Sequence, residues 1–429
     1  MIKVSKWVSL MLVVVLVFTL SACSGSNSND NADNSGASGA TKVVFWAPFS
    51  GPDGQYMKDM VKKFNEENQG KINVDLNIVP QNQYYNMIDL AFSGKQTLPN
   101  LMIMHTDQIP TYASKGLLED LGTFVQKAGL KESDFAITAW NASLINGKRY
   151  GIPLDIHPLV LYWNKDLFKA AGLDPEKPPK TREEFLQYAQ KLTDVSKEQY
   201  GFVVPTLWPQ QFIFPTVLYQ NGGQLADAST KKVTFNSQEG VEALQFLKDL
   251  IFEYKVSPAN VQQDGEVTLF KQGKNAMHLN GPWMMAAWEE AKINYGVAPV
   301  PMLGTKEQSV YANGHNFVIP ASVNDEKTNE AAQTFMKWIS ENAIDWAKSG
   351  QAPASVKVRE SQEFKDMYQQ PKVAEEFEYA KFSPQIEKWG QISNPLWENV
   401  NLALLNKLPV KQALDEAAKK AQQIIDEQK

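Results

Sequence analysis

Apolar residues recur along the chain at the spacings of both strands and amphipathic helices, which predicts an α/β protein. Val43 to Trp46 and Leu101 to Met104 are short apolar runs, typical of buried parallel strands. Ile72 to Ile78 alternates apolar and polar residues, as a half-covered strand does. A helix with one apolar face is predicted between these strands by residues at i, i+3, i+4 and i+7, namely Met57, Met60, Val61 and Phe64.

A second set of strands and helices is predicted from Tyr150 onward. Because strands and helices alternate, doubly wound sheets are favoured, and the length exceeds what one hydrophobic core usually serves, so we expect two lobes. Two capping boxes predict helix starts, and the C-terminal tail carries an apolar helical face. The capping pairs are Thr181 with Glu184 (helix to Leu192) and Asn236 with Glu239 (helix to Phe252), and the tail face is Leu414, Ala417, Ala421 and Ile424.

The N-terminus has the pattern of an export signal. Lys3 and Lys6 precede an apolar stretch from Trp7 to Leu20, which predicts a secretory signal peptide over residues 1–22. A retained transmembrane helix is the alternative, although the apolar stretch is shorter than the about 20 residues that a span needs.

The signal ends in Leu20-Ser21-Ala22-Cys23, which resembles the lipobox of bacterial lipoproteins. The resemblance implies a lipid on Cys23, the only cysteine of the chain, and a protein anchored at the extracytoplasmic face of the cell membrane. An ordinary signal peptide with an incidental cysteine is the alternative. The residues that follow are rich in Ser, Asn and Gly, which predicts a flexible tether over residues 23–41.

The net charge and the cysteine content limit the kind of partner and the forces that hold the fold. The net charge of −6 argues against nucleic acid as a partner. An exported domain without a second cysteine has no disulfide, so packing alone must hold it. We expect a monomer.

Local signatures of catalysis and of metal or cofactor binding are missing from the sequence. It contains no nucleophile elbow, no His-Glu-x-x-His and no phosphate-binding Gly-rich loop, so we predict no catalytic residue and no cofactor. Carboxylate pairs for glycoside hydrolysis leave no local signature, so an enzyme stays an alternative. No metal site is predicted either, because the four histidines lie far apart without a cysteine partner: His105, His157, His278 and His315.

Tryptophan is abundant in turn-rich parts of the chain, where loops present side chains at lobe edges. An indole face stacks on the apolar C–H face of a sugar ring, while amide, carboxylate and imidazole groups hydrogen-bond sugar hydroxyls. Core packing is the alternative role for each of them. These tryptophans are Trp46, Trp208, Trp283, Trp389 and Trp397.

An ordered set of short motifs from Lys42 to Lys429 resembles the solute-binding proteins of bacterial ABC importers, in particular the family that includes maltose- and glycerol-phosphate-binding members. The resemblance implies two α/β lobes joined by crossing strands, with the ligand in the cleft between them. The lobes would be residues 42–154 with 313–355, and residues 155–312 with 356–429. The motifs include Gly116-Leu117-Leu118-Glu119-Asp120-Leu121, Leu161-Tyr162-Trp163-Asn164-Lys165-Asp166-Leu167-Phe168, Phe270-Lys271-Gln272-Gly273-Lys274-Asn275-Ala276-Met277 and Asn280-Gly281-Pro282-Trp283.

The same resemblance implies site residues. Trp283 matches a tryptophan that stacks on sugar, and Asp107 follows a strand where the family has a sugar-binding carboxylate. Met104 and His157 stand where maltose-binding members have a tryptophan and a glutamate, which indicates a different ligand. Asp155 could take over the carboxylate role or be structural. Further candidates on cleft-lining loops are Trp208, Phe212, Gly314, His315, Trp46, Gln83 and Tyr84.

These features together predict capture of a sugar, from mono- to oligosaccharide, by cleft closure and its delivery to an ABC transporter permease. A glycerol-phosphate-binding protein of the same family is disfavoured by the small number of arginines, since phosphate is usually held by arginine forks or helix N-termini. An exported carbohydrate-active enzyme, with Asp107 and Asp155 as acid and base, and a structural surface protein are the alternatives from other classes.

Overall fold

The computed structural model describes residues 39–322 and 325–428. Cys23, the predicted signal peptide and most of the predicted tether lie outside the described residues. From Ala40 onward the chain forms one compact unit. None of the described helices combines the length and the apolar character that a membrane crossing demands.

Helices and strands alternate along the described chain, as the pattern predicts. The helices are α1 (Asp53–Glu67), α2 (Gln81–Phe92), α3 (Ile109–Ala113), α4 (Gly122–Ala128), α5 (Ile137–Ala142), α6 (Lys165–Ala170), α7 (Arg182–Leu192), α8 (Gln210–Gln220), α9 (Gln238–Phe252), α10 (Gly265–Lys271), α11 (Met285–Glu290), α12 (Glu326–Glu341), α13 (Ile344–Ala347), α14 (Val356–Glu360), α15 (Gln362–Lys365), α16 (Gln370–Ala374), α17 (Trp389–Leu404) and α18 (Val410–Asp426). The strands are β1 (Thr41–Ala47), β2 (Ile72–Ile78), β3 (Leu101–His105), β4 (Leu144–Ile145), β5 (Lys148–Arg149), β6 (Ile152–Pro153), β7 (Asp155–Pro158), β8 (Val160–Asn164), β9 (Tyr200–Phe202), β10 (Ala226–Asp227), β11 (Lys232–Val233), β12 (Asn275–Asn280), β13 (Tyr295–Ala298), β14 (Val310–Asn313), β15 (His315–Val318), β16 (Ala352–Pro353) and β17 (Ala380–Lys381).

The first large sheet has the strand order β2-β1-β3-β15-β6. β1 runs parallel to β2 and β3, whereas β15 is antiparallel to β3 and β6. Every residue of β3 is buried, as expected for a central strand with both faces covered. The carboxyl ends of β1 and β3 therefore lie side by side at one edge of this sheet.

The second large sheet has the order β13-β8-β12-β9. β8 is antiparallel to both β12 and β13, and β12 is parallel to β9. Both large sheets are thus mixed in direction and flanked by helices. The predicted α/β class is confirmed by this alternation of strands and helices around the sheets.

A small sheet, β16-β7-β14-β17, connects the two large ones. The chain leaves the first sheet at β6, passes through β7 and enters the second sheet at β8. It returns from β13 through β14 to β15, and β7 and β14 pair antiparallel, with Asn313 opposite His157. This arrangement brings His157 of one crossing next to the start of β15.

Local sequence signals explain where several helices begin. The Thr181 hydroxyl accepts a hydrogen bond from the backbone N–H of Glu184 at 3.2 Å and caps α7, as predicted. The predicted cap of α9 at Asn236 is wrong by one residue. The Ser237 hydroxyl accepts from the N–H of Gly240 instead, and the Asn236 side-chain amide donates to Asp415 of α18 at 2.9 Å.

The C-terminal helix packs as its apolar face predicts, with one correction. Leu414, Ala417 and Ala421 are buried against the preceding elements. Ile425, rather than Ile424, completes the buried face, and Ile424 is only partly buried. One step along a helix turns the side chain by about 100°, which separates these two neighbours.

Candidate functional site

A cavity of about 530 Å³ opens beside the carboxyl ends of β1 and β3. Residues 48–53 after β1 and the turn after β3 form one side of it. His157 and Asn313 come from the crossing strands β7 and β14, and His315 begins β15. Ligands of α/β proteins commonly bind outside the carboxyl ends of parallel strands. The volume lies within the about 300–1,000 Å³ of small-molecule sites.

Aromatic rings form another wall of the cavity. Trp283 lies in the 3₁₀ turn Pro282–Met284 after β12, and its ring is 6.2 Å from that of Trp208 and 6.4 Å from that of Phe212. Gly281 lets the indole fold back over the backbone, because a Cβ at this position would come within 2.0 Å of the Trp283 ring. These three of the predicted aromatic residues therefore line one surface.

Asp107 lies in the turn after β3 and lines the cavity. Its Oδ1 accepts from the Asn313 amide at 2.9 Å, and its Oδ2 accepts from the Gln108 amide at 2.8 Å. Burial raises the pKa of Asp107, while these two hydrogen bonds oppose the rise. The carboxylate is thereby held at the cavity surface by residues of β14 and of its own turn.

Three histidines meet at the cavity: His105 at the end of β3, His157 on β7 and His315 at the start of β15. Their ring centroids are 4.4 Å apart for His157 and His315, and 4.8 Å apart for His105 and His315. One nitrogen from each ring lies within 4.8 Å of the others. The spacing along the sequence predicted no such cluster, because the three elements meet only in the folded sheets.

Asp155 lies behind these rings and is fully buried. Its carboxylate faces Nδ1 of His157 at 3.1 Å and Nδ1 of His315 at 2.9 Å, and it accepts from the indole N–H of Trp346 at 2.8 Å. Asp155 does not itself line the cavity. Its position is structural: it orients two of the imidazoles.

Asp155 and His157 lie so close to each other and to His315 that these neighbours shift the pKa values of both. Burial alone would raise the pKa of Asp155, but the charge of His315 and hydrogen bonds from His157 and His315 hold this pKa well below its usual range. Burial, together with repulsion from His315, lowers the pKa of His157 to about 4. Burial likewise lowers the pKa of His105 well below its usual value. His105 and His157 are therefore neutral near pH 7.

Besides Asp155, four candidates from the sequence lie away from the cavity lining. Trp46 is buried in a core cluster, and Tyr84 donates its hydroxyl proton to backbone carbonyls within that core. Gln83 is exposed on α2. Gly314 lies between β14 and β15, where a Cβ would come within 2.8 Å of the Asp155 carbonyl oxygen, so its role is to allow this close approach. Gly314 thus precedes β15 and His315 begins it, whereas the sequence resemblance placed both residues on a cleft-lining loop.

The cavity is also lined by residues that were not predicted from the sequence as site residues. Tyr85, one position after Tyr84, contacts His105 through a 2.6 Å hydrogen bond between its hydroxyl and Nδ1. Trp389, Ser393 and Trp397 recur every four residues along one face of α17, a spacing that could have shown them as one surface. The further lining residues are Phe49, Asp53, Gln81, Gln108, Gln211, Tyr311, Asn313, Gln351 and Asn394.

No lysine or arginine is among the described residues that line the cavity. The three arginines instead pack on aromatic rings elsewhere. Arg149 lies 3.5 Å over the Trp140 ring, Arg182 lies 4.1 Å over Phe246, and Arg359 lies 5.2 Å over Phe377. The cavity is consequently aromatic, acidic and rich in neutral hydrogen-bonding groups.

Two sheets that are connected by crossing strands, with a cavity beside those strands, define a class of ligand-binding proteins. Comparison with known proteins identifies the family. Residues 49–345 match the model of the bacterial extracellular solute-binding proteins, and the chain belongs to this family. This family assignment confirms the resemblance seen in the sequence.

Individual relatives are similar over most of their length. The galactooligosaccharide-binding protein of Bacillus subtilis is 26% identical, over 96% of this chain and 95% of that protein. A maltooligosaccharide ABC transporter solute-binding lipoprotein of Streptococcus pneumoniae is 26% identical, over 71% of this chain and 72% of that protein. An ABC substrate-binding protein of Listeria monocytogenes, solved in complex with cycloalternan, superposes with a TM-score of 0.78 at 25% identity, covering 90% of this chain and 99% of that chain.

Proposed function

We propose that this protein captures a neutral sugar, from mono- to oligosaccharide, in the cavity and delivers it to an ABC transporter permease. The observation that carries the proposal is the aromatic wall formed by Trp208, Phe212 and Trp283, in a cavity that neutral polar groups also line. Indole faces stack on the C–H faces of sugar rings. The relatives named above are described as binding galactooligosaccharide, maltooligosaccharide and cycloalternan, which supports this class of ligand.

Hydrogen-bonding groups at the cavity suit sugar hydroxyls. Oε1 of Gln351 is buried and has no partner among the described residues, although Gln351 lines the cavity. An unpaired buried acceptor costs about 1–3 kcal/mol, so a ligand hydroxyl that donates to it would gain affinity. Asp107 and the Asn313 amide hydrogen-bond each other. The carboxylate has further lone pairs and the amide has a second N–H, so they can also offer an acceptor and a donor to a sugar hydroxyl.

The charge of the cavity favours a neutral solute over a phosphorylated one. Asp53 and Asp107 line it, and no described lining residue is cationic. Phosphate sites usually use arginine forks or helix N-termini. α1 does begin at the cavity, but its first residue is Asp53, whose carboxylate would repel a phosphate. Glycerol phosphate is therefore the weaker candidate.

Closure of two lobes around the sugar is the proposed mechanism. The proposed lobes are residues 42–154 with 313–355 and residues 155–312 with 356–429, and the passage of the chain through β7 and β14 supports the boundaries at 154/155 and 312/313. A sugar that contacts both lobes shifts the equilibrium toward the closed form by its difference in affinity for the two forms. We further propose that a lipid on Cys23 keeps the protein at the outer face of the cell membrane, as the lipoprotein relative suggests.

An exported carbohydrate-active enzyme is a weaker alternative. The acid–base pair considered for it was Asp107 with Asp155. Asp155 is fully buried behind the histidines, where its oxygens are occupied by His157, His315 and Trp346. A general acid or base must come within hydrogen-bond reach of the substrate, which this carboxylate does not do.

The test is a ligand screen by thermal shift and titration calorimetry on the purified protein, in a detergent without a sugar headgroup. The panel contains galactooligosaccharides, maltooligosaccharides, cycloalternan, monosaccharides and glycerol 3-phosphate. A sugar at 100 times its Kd should stabilise the folded state by about 2.7 kcal/mol, and chromatography should recover it unchanged. Stabilisation by glycerol 3-phosphate alone, or conversion of the sugar, would refute the proposal.

A further inference from the structure

The three histidines at the cavity have a feature that sugar capture does not require. Their Nδ1 atoms all have partners within the protein: the Asp155 carboxylate for His157 and His315, and the Tyr85 hydroxyl for His105. No described residue hydrogen-bonds the three Nε2 atoms. Since all three rings line the cavity, the cluster presents three unpaired imidazole nitrogens beside it.

We propose that His105, His157 and His315 form a binding site for one divalent transition-metal ion, of the kind that Zn²⁺ represents. Three imidazoles with an open fourth position are a common zinc ligand set. The ion would bind the Nε2 atoms and keep its open position toward the cavity. The site goes beyond sugar capture and does not depend on it.

The partners of the Nδ1 atoms are those that metal sites use. A metal-binding histidine typically donates its other ring N–H to a carboxylate or another acceptor, which fixes the tautomer and aims the free nitrogen at the ion. Asp155 accepts from two of the rings in this way and is itself held by the Trp346 indole at 2.8 Å. The Tyr85 oxygen lies 2.6 Å from Nδ1 of His105 and can accept in the same manner.

The geometry needs only a small adjustment to hold an ion. One ring nitrogen from each histidine lies within 4.8 Å of a ring nitrogen of the other two. Because Zn²⁺ binds imidazole nitrogens at about 2.0–2.1 Å, two nitrogens of a tetrahedral site stand about 3.4 Å apart. Closing the difference requires ring movements of about an ångström. Such movements are open to side chains that face a cavity.

The local charge also favours a cation. Asp155 lies directly behind two of the rings, and Asp53 and Asp107 line the same cavity. None of the described lining residues is lysine or arginine. A divalent ion would therefore enter a site of negative potential with no competing cationic side chain.

The experiment uses the full chain, first stripped with a chelator. Zn²⁺ is titrated by calorimetry and Co²⁺ by visible absorption, which reports directly on a low-coordinate nitrogen site. We expect one ion per chain, with strong Co²⁺ bands that Zn²⁺ displaces. His157→Gln and His315→Gln should each weaken Zn²⁺ binding at least 100-fold. His278→Gln is the matched control, because His278 lies on β12 and does not line the cavity.

A milder variant keeps the test decisive if a histidine variant fails to fold. Tyr85→Phe removes only the partner of His105 and should weaken Zn²⁺ binding about 10-fold or more. The inference is overturned if the wild-type chain binds no stoichiometric ion, or if both histidine variants bind Zn²⁺ as the wild type does. Sugar binding by the metal-free chain, measured alongside, would leave the proposed capture standing in either case.

Discussion

The indole rings of Trp208 and Trp283 stack, with centroids 6.2 Å apart and planes inclined by 29°. The two residues come from distant parts of the chain, one before α8 and one after β12. Phe212 meets the Trp208 ring edge-on at 5.2 Å and extends the surface. The cavity therefore has a continuous aromatic wall onto which more than one sugar ring could stack.

Trp283→Ala should weaken sugar binding at least tenfold, which corresponds to about 1.4 kcal/mol of lost binding free energy. The reason is the loss of the stacking surface, since the indole is only partly buried and its removal leaves the core intact. Calorimetry with the sugar found in the screen measures the change. Trp338→Ala is the matched control, because Trp338 lies on α12 outside the cavity lining. Wild-type affinity in Trp283→Ala would contradict the stacking role.

Asp107→Asn should weaken sugar binding by about 10-fold to 100-fold, because a hydrogen bond to a charged group contributes about 1.5–3 kcal/mol. The substitution keeps the shape of the side chain but replaces one acceptor oxygen by a donor, which then faces the Asn313 or Gln108 amide. Calorimetry and a product assay are run on the same samples. Unchanged binding with loss of sugar conversion would instead favour the enzyme.

Asp155→Asn should lower the free energy of unfolding by about 3 kcal/mol, since removing the buried carboxylate leaves its hydrogen-bond donors poorly satisfied. The partners are His157, His315 and the Trp346 indole. Urea denaturation measures the change. Asp53→Asn is the matched control. Burial raises the pKa of Asp53, so the fold stabilises this carboxylate poorly. Asp53→Asn should therefore lower the free energy of unfolding by less than about 1 kcal/mol. Equal losses in both variants would contradict the structural role of Asp155.

Much of the fold follows from local pattern. The apolar spacing predicts α1, β2, β3 and α18 to within a few residues, because each element buries one face or both faces against a sheet or helix. The start of α9 was predicted less accurately, because Asn and Ser are both favoured N-caps and stand next to each other here. Ser237 caps the helix, and the Asn236 side-chain amide donates to Asp415.

The site was predictable only in part. Trp283, Asp107 and Trp208 lie in loops after or before strands, and the resemblance to a family points to them. Tyr85 rather than the predicted Tyr84 lines the cavity. Neighbours on a helix point about 100° apart, and the rotation of α2 against the sheet is a tertiary property. The histidine cluster joins strands that are distant in sequence, so no local spacing could indicate it.

The fourth histidine predicts a pH dependence of stability. His278 is buried on β12 and stacks on Phe270, with ring centroids 5.3 Å apart. Burial lowers the pKa of His278 to about 3, whereas the unfolded chain has a histidine pKa of about 6.5. Between these two values the unfolded state binds a proton that the folded state does not. Stability is therefore lost as the pH falls below about 6.5, by up to about 1.4 kcal/mol per pH unit for this residue.

His278→Gln should remove this contribution, so the free energy of unfolding of the variant should fall less steeply between about pH 6 and pH 4. Urea denaturation at a series of pH values compares the two slopes. His105 and His157, whose pKa values are also lowered by burial, are present in both proteins, so the difference in slope isolates His278. Parallel curves for the wild type and the variant would mean that His278 gains a proton in the folded state, and that its burial does not keep it neutral.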